Sequence, residues 1–241
     1  KLAGDVQIPF TTSTDTETPQ ASLAPNDGAA NVAPGSRVVV VFDAPMDPAT
    51  LREDTVLVTD DVGTPLPGSR TLTGGDRILT FTPTVPFANL TYYRTRVVGG
   101  SSGARRLSGN WFPTDRTARF RTGTTPDAQA PSVAATLNGI ATSRNASLVL
   151  PPSGFTIDVT TSDAGQWIDA SSFEVSLSGS APGPDPATLL AVGTLGYGTL
   201  NVTVPAGTLL ADGAWTLTVR VRDLTGNLGT SSPLSFTVAT P

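Results

Sequence analysis

The chain has no cysteine and no histidine. Without cysteine there is no disulfide staple and no thiol chemistry. Without histidine the commonest general base and the commonest transition-metal ligand are gone. Lysine occurs once, at Lys1, and the other 14 basic residues are arginines spread along the 241 positions. The net charge is −5, and no basic face is read from the sequence, so no nucleic-acid partner is expected. No apolar run approaches the roughly 18–20 residues that span a bilayer as a helix. No P-loop and no metal triad is present. The carboxylate pairs Asp43/Asp47 and Asp60/Asp61 sit in turns, where such pairs are solvated. No enzyme is expected.

What the chain does have is 24 glycines and 21 prolines, which break it into short segments. Between them lie β-branched runs, the pattern of an all-β sandwich or barrel. SRVVVVF (36–42) is the strongest strand, and its unbroken valines predict burial on both faces or in a core centre. Pro45 and Pro48 end it, with Asp47 as the cap of a single short turn. SRTLTGGDRILTFTP (69–83) reads as a hairpin about Gly74, Gly75 and Asp76. TYYRTRVVG (91–99) alternates, and TARFRTG (117–123) closes this set. Further on, Phe173, Val175 and Leu177 share one face, as do Trp215, Leu217, Val219 and Val221. No stretch longer than a turn or two has a helical period.

A short feature recurs: KLAGD (1–5), RLSGN (106–110) and DLTGN (223–227), each followed by a Phe-Thr or Phe-Arg-Thr strand. The leucines are 105 and 117 residues apart, which is a domain-sized repeat. Polar, proline-bounded linkers precede two of the units, TSTDTETP (12–19) and TTPDAQAP (124–131). The expected organisation is a closing strand of a preceding module over 1–14 and β-sandwiches over 15–123 and 124–241. Residues 6–12, with Val6, Ile8 and Phe10 on one side, are expected to lie outside the 19–123 sandwich, in a chain that reads as a segment of a longer one.

Several stretches resemble the immunoglobulin-like domains of bacterial S-layer proteins, adhesins and other surface proteins. In the first unit they are NDGAANV (26–32), VVFDAPMDPATL (40–51), LTFTP (79–83), LTYYRTRV (90–97) and FRTG (120–123). In the second they are SDAGQWIDASSFEVSLSG (162–179) and LADGAWTLTVRVRDLTGN (210–227). The resemblance implies tandem Ig-like β-sandwiches in a bacterial, extracellular or cell-surface protein. It implies a structural segment of a stalk, filament or layer, partnered by neighbouring modules or copies of itself. The alternative is an adhesin module recognising a glycan or protein; an accessory module of a secreted enzyme would depend on sequence outside this chain. The family's loops also place Asp163, Asp169, Asp223 and Asn227 near one sandwich end, as oxygen ligands suited to calcium. Turn chemistry is the competing account of the same four residues. At RLSGN the chain departs from the family, with Arg106 in place of an Asp. Of the tryptophans, Trp215 is expected in the core, and Trp111 and Trp167 in turns. The three N-x-S/T matches, at Asn89, Asn145 and Asn201, are read as chance.

Overall fold

The computed structural model describes residues 15–139, 148–151, 155–163, 167–179, 194–195, 199–203 and 210–239. The expected strand over 6–12 lies outside them. Described residues up to 121 form seven strands: β1 (Ala21–Ala24), β2 (Val38–Phe42), β3 (Val56–Asp60), β4 (Gly68–Thr73), β5 (Ile78–Pro83), β6 (Tyr92–Val97) and β7 (Arg116–Arg121). They build two sheets, ordered β1-β2-β5-β4 and β3-β6-β7. All pairs are antiparallel, with Val40 opposite Leu79 and Tyr93 opposite Phe120. A short 3₁₀ turn, Pro48–Thr50, follows β2, and Asp47 caps it by accepting from the Ala49 amide at 3.0 Å. Gly74, Gly75 and Asp76 all have positive φ in the β4–β5 turn. There glycine meets no steric penalty.

Strand alternation turns one side of each sheet inward. Val40, Phe42 and Leu79 pack against Val56, Val97 and Phe112. Val38 and Phe81 pack against Val58, Tyr93 and Phe120. Phe87 joins the last group, its ring 4.6 Å from Tyr93 and 5.5 Å from Phe120, and the Tyr93 hydroxyl accepts from the Ala88 amide.

A second pair of sheets follows. Its strands are β8 (Ser132–Leu137), β9 (Val149–Leu150), β10 (Thr156–Ser162), β11 (Ile168–Gly179), β12 (Thr194–Leu195), β13 (Thr199–Thr203), β14 (Gly213–Asp223), β15 (Leu228–Thr230) and β16 (Leu234–Val238). The orders are β12-β13-β10-β8 and β11-β14-β16-β9, with β15 on β14. The core takes Leu137, Ile157 and Val159 from one sheet and Val175, Leu177, Trp215, Leu217, Val219, Val221 and Phe236 from the other. The alternations read in 171–179 and 214–223 are those seen.

All five residues of β2 are buried. One face is the first core. The other carries Val39 and Val41, which cluster with Ala24, Ile78, Ala170, Leu224 and Trp167. The last three belong to the second pair of sheets. The start of β11 thus lies on the outer face of β2 and β5. Polar contacts frame the joint. The Arg37 amide donates to the Leu224 carbonyl at 2.9 Å. The Arg37 guanidinium meets the Asp169 carboxylate at 3.2 Å, and the Thr80 hydroxyl bonds that of Ser171. The valine run is therefore apolar on both faces because it serves two packings.

Candidate functional site

The two L-x-G-N turns have the same backbone. In the first, the Arg106 amide donates to the Asn110 carbonyl at 2.8 Å and Gly109 to Arg106 at 2.9 Å. In the second, Asp223 donates to Asn227 at 3.1 Å and Gly226 to Asp223 at 3.2 Å. Gly109 and Gly226 have φ of 101° and 103°, a region that glycine alone enters cheaply.

Each turn grips the chain segment that leads into its pair of sheets. Those segments are DTETP (15–19) and DAQAP (127–131). In each, the Asp carboxylate accepts from the amide two residues on: Glu17 at 2.9 Å and Gln129 at 3.0 Å. The amide of the turn's Asn then donates to the carbonyl of that same Asp, Asn110 to Asp15 at 2.7 Å and Asn227 to Asp127 at 3.3 Å. A second carboxylate follows the neighbouring strand, Asp43 just past β2 and Asp163 just past β10.

The first position of each turn differs. At Arg106 a guanidinium, with its side chain 8% exposed, ion-pairs with Asp15 at 3.1 Å and Asp43 at 2.6 Å. Burial pulls its pKa down, but the hydrogen bonds it donates to Asp43 and Asp15 outweigh this and leave it raised. The Ser108 hydroxyl above all, then the Glu17 amide and Arg106, hold the Asp15 carboxyl below its ordinary value. At the other turn stands Asp223, wholly buried. Carboxylate oxygens of Asp127, Asp163 and Asp223 lie within 4.8 Å of one another. Calcium binds oxygens at about 2.3–2.6 Å, so two ligands of one ion stand up to roughly 5 Å apart. The spacing fits. One Asp223 oxygen accepts from the amides of Thr225, Gly226 and Asn227 and from the Thr225 hydroxyl, and the other accepts from the Asn227 amide group. Asp127 Oδ2 is buried and has no hydrogen-bond partner among the described residues. A buried carboxylate oxygen left bare is costly, and a hard cation would supply what it lacks.

Of the four residues read as calcium ligands, the fold brings Asp163 and Asp223 together. Asn227 lies in the same turn, with its amide nitrogen toward Asp223. Asp169 lies at the apolar joint, where it accepts from Arg37, from the Ser171 amide and from the Ser171 hydroxyl. Asp127 was not foreseen. The signal for it is D-x-E/Q-x-P, present twice in front of a first strand.

None of the described tryptophans offers an open ring. Trp215 is in the core. Trp167 packs into the joint. Trp111 is half-buried, with the Arg105 guanidinium 5.1 Å from its ring centre.

Several carboxylates of the first pair of sheets titrate below their ordinary value. Asp47 is lowered chiefly by Arg105, Asp61 by Arg119, and Asp115 by the Gly99 amide and then Arg96. A depressed folded-state pKa contributes stability above the unfolded value of 3.8 and loses it as pH falls through the folded one. We expect the melting point of the first sandwich to fall as pH drops from about 5 to about 3, and Ser108→Ala to shrink that fall. A melting point that holds steady down to pH 3 would contradict it.

No curated protein matches the chain. Among solved structures, the S-layer protein SbsC is similar over 93% of this chain, at 18% identity and a TM-score of 0.36. The chain spans 26% of that structure. Domains 1–6 of the same surface layer protein give 18% identity, 93% and 26% coverage and a TM-score of 0.38. Fibronectin(III)-like modules of CbhA from Clostridium thermocellum are 14% identical over 92% of this chain and 94% of theirs, with a TM-score of 0.28. Residues 15–122, the first pair of sheets with its leading segment, match the family model of the bacterial Ig-like domain.

Proposed function

We propose that the chain is a structural segment of a bacterial cell-surface protein, made of tandem Ig-like modules over 15–123 and 124–241 and docked into a stiff pair. The observation that carries this is the second, outward packing of β2. Val39 and Val41 are buried in a cluster to which Ala170, Leu224 and Trp167 contribute. A free linker would not need that apolar face. The role is mechanical spacing, without catalysis. Small-angle scattering of the whole chain tests it. One compact shape with a single relative placement of the modules is expected, and a spread of placements would overturn it.

The same reading assigns calcium to Asp127, Asp163 and Asp223, where it pins the 127–131 linker to the turn that carries Leu224 into the joint. A ligand at about 100 times its Kd adds about 2.7 kcal/mol to the folded state. For a sandwich of this size that raises Tm by on the order of 10 °C. We expect that rise in calcium over chelator. Asp127→Asn should abolish it while leaving the chelator melting point close to wild type. Identical curves in calcium and chelator would rule out the site.

A further inference from the structure

We propose that the outer face of β6 and β7 is a docking surface for an acidic glycan, a sugar chain that bears carboxylates, and that Arg94 and Arg121 receive those groups. This goes beyond the spacing role and does not depend on it. Register sets the face. Arg94 stands opposite Arg119, and Tyr92 opposite Arg121. These four point outward, because Tyr93, Thr95, Ala118 and Phe120 between them are buried. Like charges directly opposite each other destabilise a sheet, so such a face calls for counter-charges. Two of its arginines find them within the chain. Arg96 meets Asp115 at 2.7 Å. Arg119 places Nε and Nη2 on the two Asp61 oxygens, each at 2.9 Å. Arg94 and Arg121 are exposed and form an ion pair with no described residue. Arg94 is near enough to Asp61 only to help lower its pKa. Arg121 places Nε on the Leu90 carbonyl at 3.3 Å, which leaves Nη1 and Nη2 for a ligand. The two residues are diagonal neighbours across the strand pair, about 7–8 Å apart, so one sugar chain can meet both.

Arg121 opens onto a cleft. The 27–30 segment runs beside β7, with the Gly28 amide on the Arg119 carbonyl and the Arg121 amide on the Ala29 carbonyl, each at 2.8 Å. Between this wall and Tyr92, Arg119 and Arg121 lies an open cleft of about 460 Å³, within the roughly 300–1,000 Å³ of small-ligand sites. The carboxylate at its edge, Asp27, accepts from the Arg119 amide at 2.8 Å. The Tyr92 ring centre is 3.7 Å from the Arg119 guanidinium and 5.7 Å from that of Arg121. Such contacts hold the cations in place before a ligand arrives, which lowers the ordering cost of binding. Two observations select the ligand. Asp61 on Arg119 shows how a carboxylate seats on this face, by the two-point fork that a guanidinium favours. The cleft also offers no apolar seat among the described residues, since Arg119 covers the Tyr92 ring and the wall brings only glycine and alanine. Protein partners anchor through buried aromatic or arginine side chains in well-packed pockets. A sugar chain needs none of that and brings charge and hydroxyls instead.

The test uses the whole chain, with polygalacturonate fragments as the probe, uncharged dextran as the control sugar and titration calorimetry as the readout. At low salt the wild type should bind polygalacturonate and not dextran, and the affinity should fall as salt screens the contacts. Arg121→Gln and Arg94→Gln should each weaken binding about tenfold or more, the effect of losing hydrogen bonds to a charged group. Arg220→Gln removes the same charge from an exposed position of the second pair of sheets and should change binding less than about twofold. Arg121→Lys keeps the charge but not the fork and should recover only part of the loss. Melting points equal to wild type show that the variants are folded. A wild type that does not bind polygalacturonate overturns the proposal. So does equal weakening by Arg121→Gln and Arg220→Gln, since net charge alone would then attract the probe. Tighter binding of polyphosphate than of polygalacturonate overturns the carboxylate assignment. A wild type that sediments as a dimer, and as a monomer with Arg121→Gln, gives the face to a second copy and overturns the glycan. None of these outcomes bears on the spacing role, which scattering decides.

Discussion

Trp215→Ala should cost the second sandwich roughly 3–5 kcal/mol, the range for emptying a large aromatic site in a core. The indole is 2% exposed and stands on β14 between Gly179 and Phe236 in the two flanking strands. Its Nε1–H donates to the Ala211 carbonyl at 2.8 Å, so truncation also strands an acceptor. The site collapses poorly because the ring lies flush on the backbone. A Cβ built at Gly179 would sit 2.6 Å from the indole Cδ2. Against a typical total of about 5–15 kcal/mol, the melting transition of that sandwich should fall on the order of 15–30 °C. Calorimetry resolves it from the first sandwich, whose core contains none of the atoms removed. Gly179→Ala should destabilise in the same direction. A drop of less than about 1 kcal/mol for Trp215→Ala would mean that the indole does not fill the core.

Val41→Asp should open the joint without unfolding either sandwich. Val41 is 5% exposed, yet it points away from the first core, into the cluster with Ala170, Leu224 and Trp167. A carboxylate there has no designated partner, because Arg37 already serves Asp169. Burying it unpaired costs several kcal/mol. Separating the modules avoids that cost by giving up contacts that contribute about 1.5–3 kcal/mol for each large apolar side chain fully buried. Separation is therefore the cheaper response. The variant should keep the strand spectrum of the wild type, show a longer maximum dimension in scattering, and melt in two transitions that no longer influence each other. Val41→Thr, similar in shape, should do far less. An unchanged scattering curve for Val41→Asp would mean that the joint does not hold the modules together.

Much of this was legible in local pattern. The four valines of 38–41 announced burial on both faces or in a core centre, although not what covers the second side. Period-two alternation placed Trp215, Leu217, Val219 and Val221 inward, because each strand is amphipathic on its own. The L-x-G-N repeat marked both turns, since its glycine must take positive φ wherever it occurs. Pairings across long separations were not legible. Asp169 looks like a loop acid, but it begins a strand and meets Arg37, 132 residues away. Asp127 reads as linker polarity until the fold brings it to Asp163 and Asp223. The arginines look scattered, yet β6 and β7 set Arg94, Arg96, Arg119 and Arg121 on one outer face. There Arg96 and Arg119 pair with Asp115 and Asp61.

The doubly buried strand also bears on how such chains are assembled from parts. Val39 and Val41 fit only a successor that brings an equivalent of Trp167, Ala170 and Leu224. The strand at the matching place in the second sandwich, β10, turns Asp158 and Thr160 outward instead. A module that follows this one cannot dock by the same apolar face. On the two-module reading, recombination or duplication would keep this face covered only by moving the pair together. A single sandwich moved alone would carry either an uncovered valine face or an uncovered Leu224 and Trp167 into its new setting.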